Sequence, residues 1–276
     1  MSWNFRTLFG APVLALAIAP ALALEPATET GACSLEDAAP ATAAASDQGD
    51  ILLDDGRRAA LTGLEIPGDP TLADAAADAL DALVSGRQVF ALPLAPAPDR
   101  WGRAPVAIFV AADERPESPL ILLGARLLEA GLARFRPDKA AEPCARAYLA
   151  AESAARAQGR GLWRRPEFTA IDARAPTERF ARARGMVAVE GTPVSIGETT
   201  TLFYLNFAEK RREGFAAVIS RRDLDIIAAS GIQQRSLVGR RLRLRGLIDT
   251  TFGPRMDIVS PSAIELLDDA PAPRGR

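Results

Sequence analysis

The stretch ALTGLEIPG, residues 60–68 of a chain of 276, decides the fold of this protein. It lies in a predicted strand over residues 58–66, and an Asp55-Gly56 turn joins this strand to a shorter one over residues 50–54. Apolar strands on either side of such a turn indicate a β-hairpin. Three further segments follow in order: DRWGR at 99–103, LLEAGLARF at 127–135 and AAESAARAQGRGLW at 150–163.

The elements around these segments predict a small barrel with helices packed on it. Glycines follow the predicted helices, as is common where helices end. The elements after the hairpin are a helix at 72–83, strands at 88–94 and 105–111, and helices at 120–130 and 142–160. Strands on both sides of the first helix, with two more helices after them, suit a five-stranded OB-type barrel with packed helices.

The second part of the chain repeats that order of elements. The patterns predict strands at 186–195, 200–207 and 215–219, a helix at 221–229, and strands at 237–248 and 256–259. We therefore expect a mostly β protein with α-helices (α+β), in which a second, smaller OB-like barrel follows the first.

In their order along the chain, the four segments resemble the staphylococcal-nuclease-like (thermonuclease) family. The second part, through EGTPVSIGE, YLNF and GRRLRLRG, is similar to the C-terminal OB-like extension of some exported bacterial members. The resemblance implies a calcium-dependent phosphodiesterase that acts on DNA and RNA. In such an enzyme two arginines bind the phosphate, two aspartates hold the metal, and a glutamate orients or activates the water.

The family's site residues carry over unevenly onto this chain. Arg103 matches one phosphate arginine, Asp50 matches the end of the metal motif with a shortened spacing, and Glu65 stands in place of the second metal aspartate. Ala60 occupies the position of the other phosphate arginine, and Gly68 that of the water-activating glutamate. The resemblance therefore predicts the scaffold of a nuclease with a damaged catalytic site.

The two missing side chains predict a large loss of catalysis. Losing a donor that stabilises transition-state charge costs about 10² to 10³ in rate, and losing a general base about 10² to 10⁴. Arg58 lies two residues before Ala60, so strand alternation puts it on the same face, where it is a candidate compensating arginine. Because calcium requires six to eight oxygens, Asp50 and Glu65 predict a site that is weak or absent.

Each surviving residue also has a structural interpretation. Arg103 would pair with Asp99 or cap a turn, Asp50 would be a solvated carboxylate in a turn, and Glu65 an ordinary surface charge at a strand end. Charged side chains on sheet surfaces are mostly solvated, so both interpretations stay open at this point.

The segment GRRLRLRG predicts a stripe of charge in the second barrel. Strand alternation puts Arg241, Arg243 and Arg245 on one face and the intervening leucines on the other. Together with Tyr204 as a stacking side chain, such a stripe is typical of a groove that binds single-stranded nucleic acid. The alternative is an arginine face that is paired with neighbouring acidic residues.

The chain begins with a pattern that indicates export. Arg6 is the only charge before Glu25, the run at 11–24 is apolar, and Ala-Leu-Ala at 21–23 fits a cleavage site. We expect a signal peptide at 1–23, a lead-in segment at 24–44, a nuclease-like domain at 45–165, an OB-like domain at 185–268 and a flexible tail at 269–276. No membrane span is expected after cleavage, and a periplasmic or secreted location favours a Cys33–Cys144 disulfide.

The composition excludes some kinds of catalytic site and indicates which half of the chain could contact a polyanion. Histidine is absent, which excludes Ser-His-Asp triads and histidine-ligated metal centres. Residues 24–163 carry 13 basic and 21 acidic side chains, whereas residues 164–276 carry 19 and 14. Since a phosphate-binding surface is usually basic, the second half is the better candidate for contact with a polyanion.

Three functions therefore remain. The first is a protein that binds nucleic acid, another polyanion or an envelope partner without cutting. The second is an active calcium-dependent phosphodiesterase that uses a compensating arginine, and the third is a structural envelope scaffold.

Overall fold

The first half of the protein folds around a small β-barrel. The computed structural model describes residues 33–45, 50–115, 117–209 and 214–267, so the predicted signal peptide and tail lie outside the described residues. The elements of this half are β1 (Ala39–Ala45), β2 (Ile51–Leu53), β3 (Arg58–Leu61), β4 (Leu64–Glu65), α1 (Pro70–Val84), β5 (Arg87–Pro93), β6 (Ala104–Ala111), β7 (Leu120–Leu122), α2 (Leu123–Glu129), β8 (Arg134–Phe135) and α3 (Ala145–Ala157).

Five of these strands close into a ring. β1 pairs antiparallel with β2 and β5, β2 pairs with β3, and β5 pairs with β6. A parallel pairing of β3 with β6 completes the circle, and β7 extends the sheet beyond β6. The predicted five-stranded barrel with packed helices is thus confirmed.

Helix α1 shows how the sequence builds this half. Asp69 caps its N-terminus by accepting a hydrogen bond from the Leu72 N–H at 3.1 Å, and Pro70 occupies the first turn, where its missing N–H costs nothing. The side chains that the helix buries recur every four residues and contribute to the core beneath: Leu72, Ala76, Leu80 and Val84.

Two expectations from the sequence are wrong here. The expected lead-in of residues 24–44 is not loose throughout, because residues 39–44 belong to β1, inside the barrel ring. Its alanine-rich sequence has low strand propensity, and pairing with β2 and β5 overrides that preference. The predicted helix at 120–130 begins only at Leu123, because residues 120–122 pair with β6 as strand β7.

The predicted disulfide is confirmed. Cys33 lies ahead of β1, Cys144 directly precedes α3, and their sulfur atoms are bonded with the Cα atoms 4.8 Å apart. The bond ties the start of the described chain to a helix 111 residues further on, and it closes most of the first half into one loop.

The second half forms another barrel. Its elements are β9 (Ile171–Asp172), α4 (Thr177–Ala181), β10 (Val187–Gly191), β11 (Ser195–Glu198), β12 (Leu202–Asn206), β13 (Ala216–Ser220), α5 (Arg221–Ala229), β14 (Leu242–Gly246), β15 (Ile248–Asp249), β16 (Arg255–Asp257) and β17 (Ile264–Leu266). Among the described residues, no helix combines the length and the apolar character that crossing a bilayer requires.

The pairings repeat the connectivity of the first barrel. β10 and β11 follow one another as one bent strand, as do β14 and β15. β11 pairs with β12, β12 with β13, β13 in parallel with β16, β16 with β15, and β14 returns to β10. The core on the inner face includes Phe203, Leu205 and Phe207, as strand alternation predicts.

Polar contacts join the two barrels. The Met186 N–H donates to the Glu65 carboxylate, and the Ser262 hydroxyl donates to Glu142 at 2.7 Å. These bonds link side chains of the first half to backbone and hydroxyl groups of the second, so both barrels belong to one compact unit.

Candidate functional site

Asp50 is the centre of the first candidate site. It precedes β2 and is almost fully buried, with 4% of its surface exposed. Its two carboxylate oxygens accept from different arginines: Arg58 donates to Oδ2, and Arg103 donates to Oδ1 at 3.1 Å. The structure therefore places three of the sequence-derived candidates in direct contact.

The same face of β3 carries Arg58 and Ala60. Between them Ala59 points into the core with none of its surface exposed, while Arg58 remains exposed. From this position the Arg58 guanidinium reaches Asp50, although its Cα lies two residues away from the position of the family's arginine. Arg58 therefore lies on the face of β3 that strand alternation predicted for it, the face that also carries Ala60.

Arg103 has a second acidic partner. Its Nη2 lies 2.7 Å from Asp99 Oδ2, and its Nε donates to the same oxygen at 2.9 Å. These hydrogen bonds from Arg103 lower the pKa of Asp99, and in return they raise the pKa of Arg103. Arg103 is thus paired with two carboxylates. The expected pairing with Asp99 is present, and the same side chain also contacts Asp50.

The DRWGR motif forms a tight turn that presents an aromatic ring. Asp99 accepts from the backbone N–H of Trp101 at 2.9 Å, and Gly102 adopts φ 76, a left-handed conformation that favours glycine. Trp101 is 59% exposed, and the guanidinium carbons of Arg100 and Arg103 lie 4.0 and 4.9 Å from its ring centroid. Sequence reasoning passed over Trp101, although a tryptophan between two arginines in a turn was a usable signal.

Glu65 has different partners. Its two oxygens accept from the Met186 N–H at 3.0 and 2.9 Å, and Oε2 lies 2.9 Å from Nη2 of Arg134. Arg134 is nearly buried; burial lowers its pKa, and the nearby Glu65 charge opposes that shift. In the described part of the chain Glu65 therefore connects the barrels, and the interpretation as an ordinary surface charge is wrong.

Gly68 occupies open space. A Cβ placed there would meet no atom within 4 Å, and the residue lies on the wall of a cleft of about 550 Å³. The fold would accommodate a larger side chain at this position, including the glutamate that the resemblance predicts there.

The predicted arginine stripe of the second barrel is paired with acidic residues, and at Arg245 it contacts the first barrel. Arg245 is buried between Glu152 of α3, at 2.8 Å, and Glu265, at 2.7 Å. Arg243 is also largely covered and pairs with Glu190 and Glu265 at 2.7 and 2.9 Å. The expectation of an open basic groove is wrong for these two residues, because Arg245 is buried against α3 of the first barrel and Arg243 is paired with acidic residues of its own barrel.

Arg241 is the exposed end of the stripe. Its side chain is 56% exposed and pairs with Glu190 at 3.0 Å. Tyr204 does not accompany it: this side chain lines a separate cavity on the second barrel, with Phe252 and Arg255. No periodic pattern marks Phe252 in the sequence, because this residue lies in the loop between β15 and β16.

The comparisons with known proteins agree with the architecture of the first half. Residues 69–165 match the family model described as staphylococcal nuclease homologue, and no curated protein matches the chain. The matched range contains Arg103 and both helices α2 and α3. It begins directly after Gly68, so Ala60 and Gly68 lie outside the matched range.

Proposed function

We propose that this protein, whose residues 69–165 form a staphylococcal-nuclease-like domain, binds nucleic acid without cutting it. The observation that carries the proposal is the state of Asp50. Both oxygens of this buried carboxylate accept from guanidinium groups, those of Arg58 and Arg103. The group that would hold a metal ion instead pairs with two cations, and one of them, Arg103, lies beside the exposed Trp101.

Binding is supported by the kind of side chains at this site. Planar guanidinium groups donate in a fork that fits phosphate oxygens, and aromatic rings stack on bases of single strands. Arg58 and Trp101 are exposed, and Arg103 contacts both Asp50 and the Trp101 ring. If a phosphate bound at this surface, the arginines would exchange a carboxylate partner for a phosphate partner, and their side chains would not need to move far.

The carboxylates do not fit calcium, the metal that the family uses. Calcium takes six to eight oxygen ligands and is held chiefly by carboxylate charge. Arginines already neutralise Asp50 and Glu65, and the described residues contain no cluster of three or more potential metal-ligating side chains. We therefore derive no step through a metal.

A route for general base catalysis also lacks support. The family's glutamate position holds Gly68, which has no side chain, and Glu65 accepts from the Met186 N–H and from Arg134. A positioned base contributes about 10² to 10⁴ in rate. The arrangement favours holding a phosphodiester over hydrolysing it.

The proposal is tested by measuring the binding of a fluorescent single-stranded oligonucleotide to the chain without residues 1–23, across a range of salt concentrations. Arg58→Ala with Arg103→Ala should weaken binding at least about tenfold and reduce the slope of log K against log salt by about one to two. Arg115→Ala is the matched control, because Arg115 is a highly exposed arginine paired with Asp113 in another loop. Absence of binding by the unaltered protein, or equal losses in both variants, would refute the proposal.

A second candidate function is a slow phosphodiesterase. It is favoured by one observation: Arg58 shares Asp50 with Arg103, so two cations meet where the family's two phosphate arginines are expected. If this enzyme exists, cleavage of single-stranded DNA should be detectable and should disappear in Arg58→Ala. Cleavage that persists in that variant would exclude Arg58 as the substitute arginine.

We also propose that the protein is exported. The Cys33–Cys144 disulfide supports this, because disulfides persist chiefly in oxidising compartments. Fractionation of expressing bacteria should recover the processed chain from the periplasm or the medium. Full-length protein with two alkylatable thiols in the cytosol would contradict the proposal.

A further inference from the structure

The second barrel contains a cavity that the first site does not use. Its volume is about 300 Å³, at the lower end of the range for small-molecule pockets. Strands β12 and β13 form its floor, with Tyr204 and Val218 among the lining residues. Thr199 and Phe252, from loops on either side, line it as well. We call this cavity the Tyr204 groove.

The Tyr204 groove lies on the second and third strands of the barrel, between two of its loops. β12 and β13 are the second and third strands of the barrel ring, counting β10 and β11 as one. The loop with Thr199 joins the first and second strands, and the loop with Phe252 joins the fourth and fifth. In OB-type barrels these two strands and these two loops form the surface that binds oligonucleotides and oligosaccharides.

Two aromatic rings line the groove. Tyr204 is half-buried and lines the groove, and it lies opposite Gly197, which has no side chain to cover the ring. Phe252 is 82% exposed, the largest exposed fraction among the large hydrophobic side chains of the described residues. Aromatic side chains on such a surface provide platforms on which successive bases stack.

The charges around the groove favour a chain that bears phosphates. Arg255 lines the groove and pairs with Asp249 at 2.6 Å. At the rim, Arg221 and Arg235 share one carboxylate, that of Glu198, at 3.1 and 2.6 Å. Three guanidinium groups thus accompany two carboxylates. Exposed ion pairs of this kind contribute only about 0–1 kcal/mol, so phosphates can compete for the arginines.

We infer that the Tyr204 groove binds a short stretch of single-stranded nucleic acid, with bases stacked on Tyr204 and Phe252 and phosphates held at the arginine rim. This inference rests on the proposed function and names a second surface for it. The surface differs from the arginine stripe that the sequence indicated, since the second barrel presents Tyr204 and Phe252 together, apart from Arg243 and Arg245.

The experiment measures the anisotropy of a fluorescent oligothymidine of twelve nucleotides titrated with the chain lacking residues 1–23. Tyr204→Ala and Phe252→Ala should each weaken binding about 5- to 100-fold, as expected for losing one stacked base. Tyr204→Phe, which keeps the ring, should bind within about threefold of the unaltered protein. Leu247→Ala is the control, because Leu247 is an exposed apolar residue of the same barrel that does not line the groove.

The outcomes separate this inference from the proposed function. If both alanine variants bind as tightly as Leu247→Ala while Arg58→Ala with Arg103→Ala loses affinity, the groove is not a binding surface and the proposed function stands. If the unaltered protein binds no oligonucleotide, both fail. If a neutral chito-oligosaccharide displaces the oligonucleotide and binds more tightly, the groove belongs to a sugar-binding surface and the inference is overturned.

Discussion

Replacing Arg245 by methionine should destabilise the protein strongly and leave its nucleic-acid affinity unchanged. Only 3% of the Arg245 side chain is exposed, and it donates to Glu152 at 3.1 and 2.8 Å and to Glu265 at 2.7 Å. Methionine would fill much of the space but leave a carboxylate that is 2% exposed without its main partner. Breaking one side of a buried ion pair costs about 3–5 kcal/mol. Arg156, 3.3 Å from Glu152, partly compensates, so we expect about 3 kcal/mol.

The assay is equilibrium unfolding in urea, followed by circular dichroism, with oligonucleotide binding measured under native conditions. Arg241→Met makes the same chemical change at the exposed end of the stripe, where the Arg241 pair with Glu190 should contribute no more than about 1 kcal/mol. Equal small losses in both variants would refute the buried role of Arg245. Loss of affinity in Arg245→Met without loss of stability would revive the stripe as a binding surface.

Three further predictions concern stability. Removing the disulfide by Cys33→Ala with Cys144→Ala should lower the free energy of unfolding by about 4–5 kcal/mol, because the bond closes a separation of 111 residues; a loss below about 1 kcal/mol in urea would contradict this. Burial raises the pKa of Glu265, but the charges and hydrogen bonds of Arg245 and Arg243 together outweigh burial, so this pKa lies below its ordinary value. The resulting stabilisation is present above the ordinary glutamate pKa and is lost as the pH falls through the lowered one. Urea titrations at pH 7 and pH 3 test this. If the free energy of unfolding falls as much in Arg245→Met as in the unaltered protein, the prediction is wrong. Gly161→Ala should lower the melting temperature measurably, because Gly161 has φ 50 and a new Cβ would lie 2.2 Å from a backbone carbonyl oxygen; an unchanged melting temperature would exclude that clash.

The sequence predicted helices and strands well where buried side chains recur at the spacing of a helix or a strand. Leu242 and Leu244 alternate with arginines and are fully buried, and the helix at 221–229 forms as expected. The β1 strand, with the sequence APATAAA, was missed because alanine carries little strand propensity. Its strand conformation depends on partners that are distant in sequence, which no local pattern specifies.

The candidate site shows the same limit at the level of side chains. Alternation put Arg58 on the correct face of β3, and the structure adds its contact with Asp50, which depends on the pairing of β2 with β3 and on the position of Asp50 directly ahead of β2. For Arg245 the alternation was also correct, yet the interpretation as an exposed groove was wrong. Strand alternation predicts which side chains point out of their own barrel. It does not predict whether such a side chain is solvated or paired with a carboxylate of the other barrel, as Arg245 is with Glu152.

The most direct test of the central claim is a single-turnover cleavage assay with end-labelled single-stranded DNA, an excess of the chain without residues 1–23 and millimolar calcium. Because Asp50 is paired with Arg58 and Arg103 and Gly68 supplies no base, the strand should remain intact, in the unaltered protein as in Asp50→Asn. Calcium-dependent cleavage that Arg103→Ala abolishes would contradict the account.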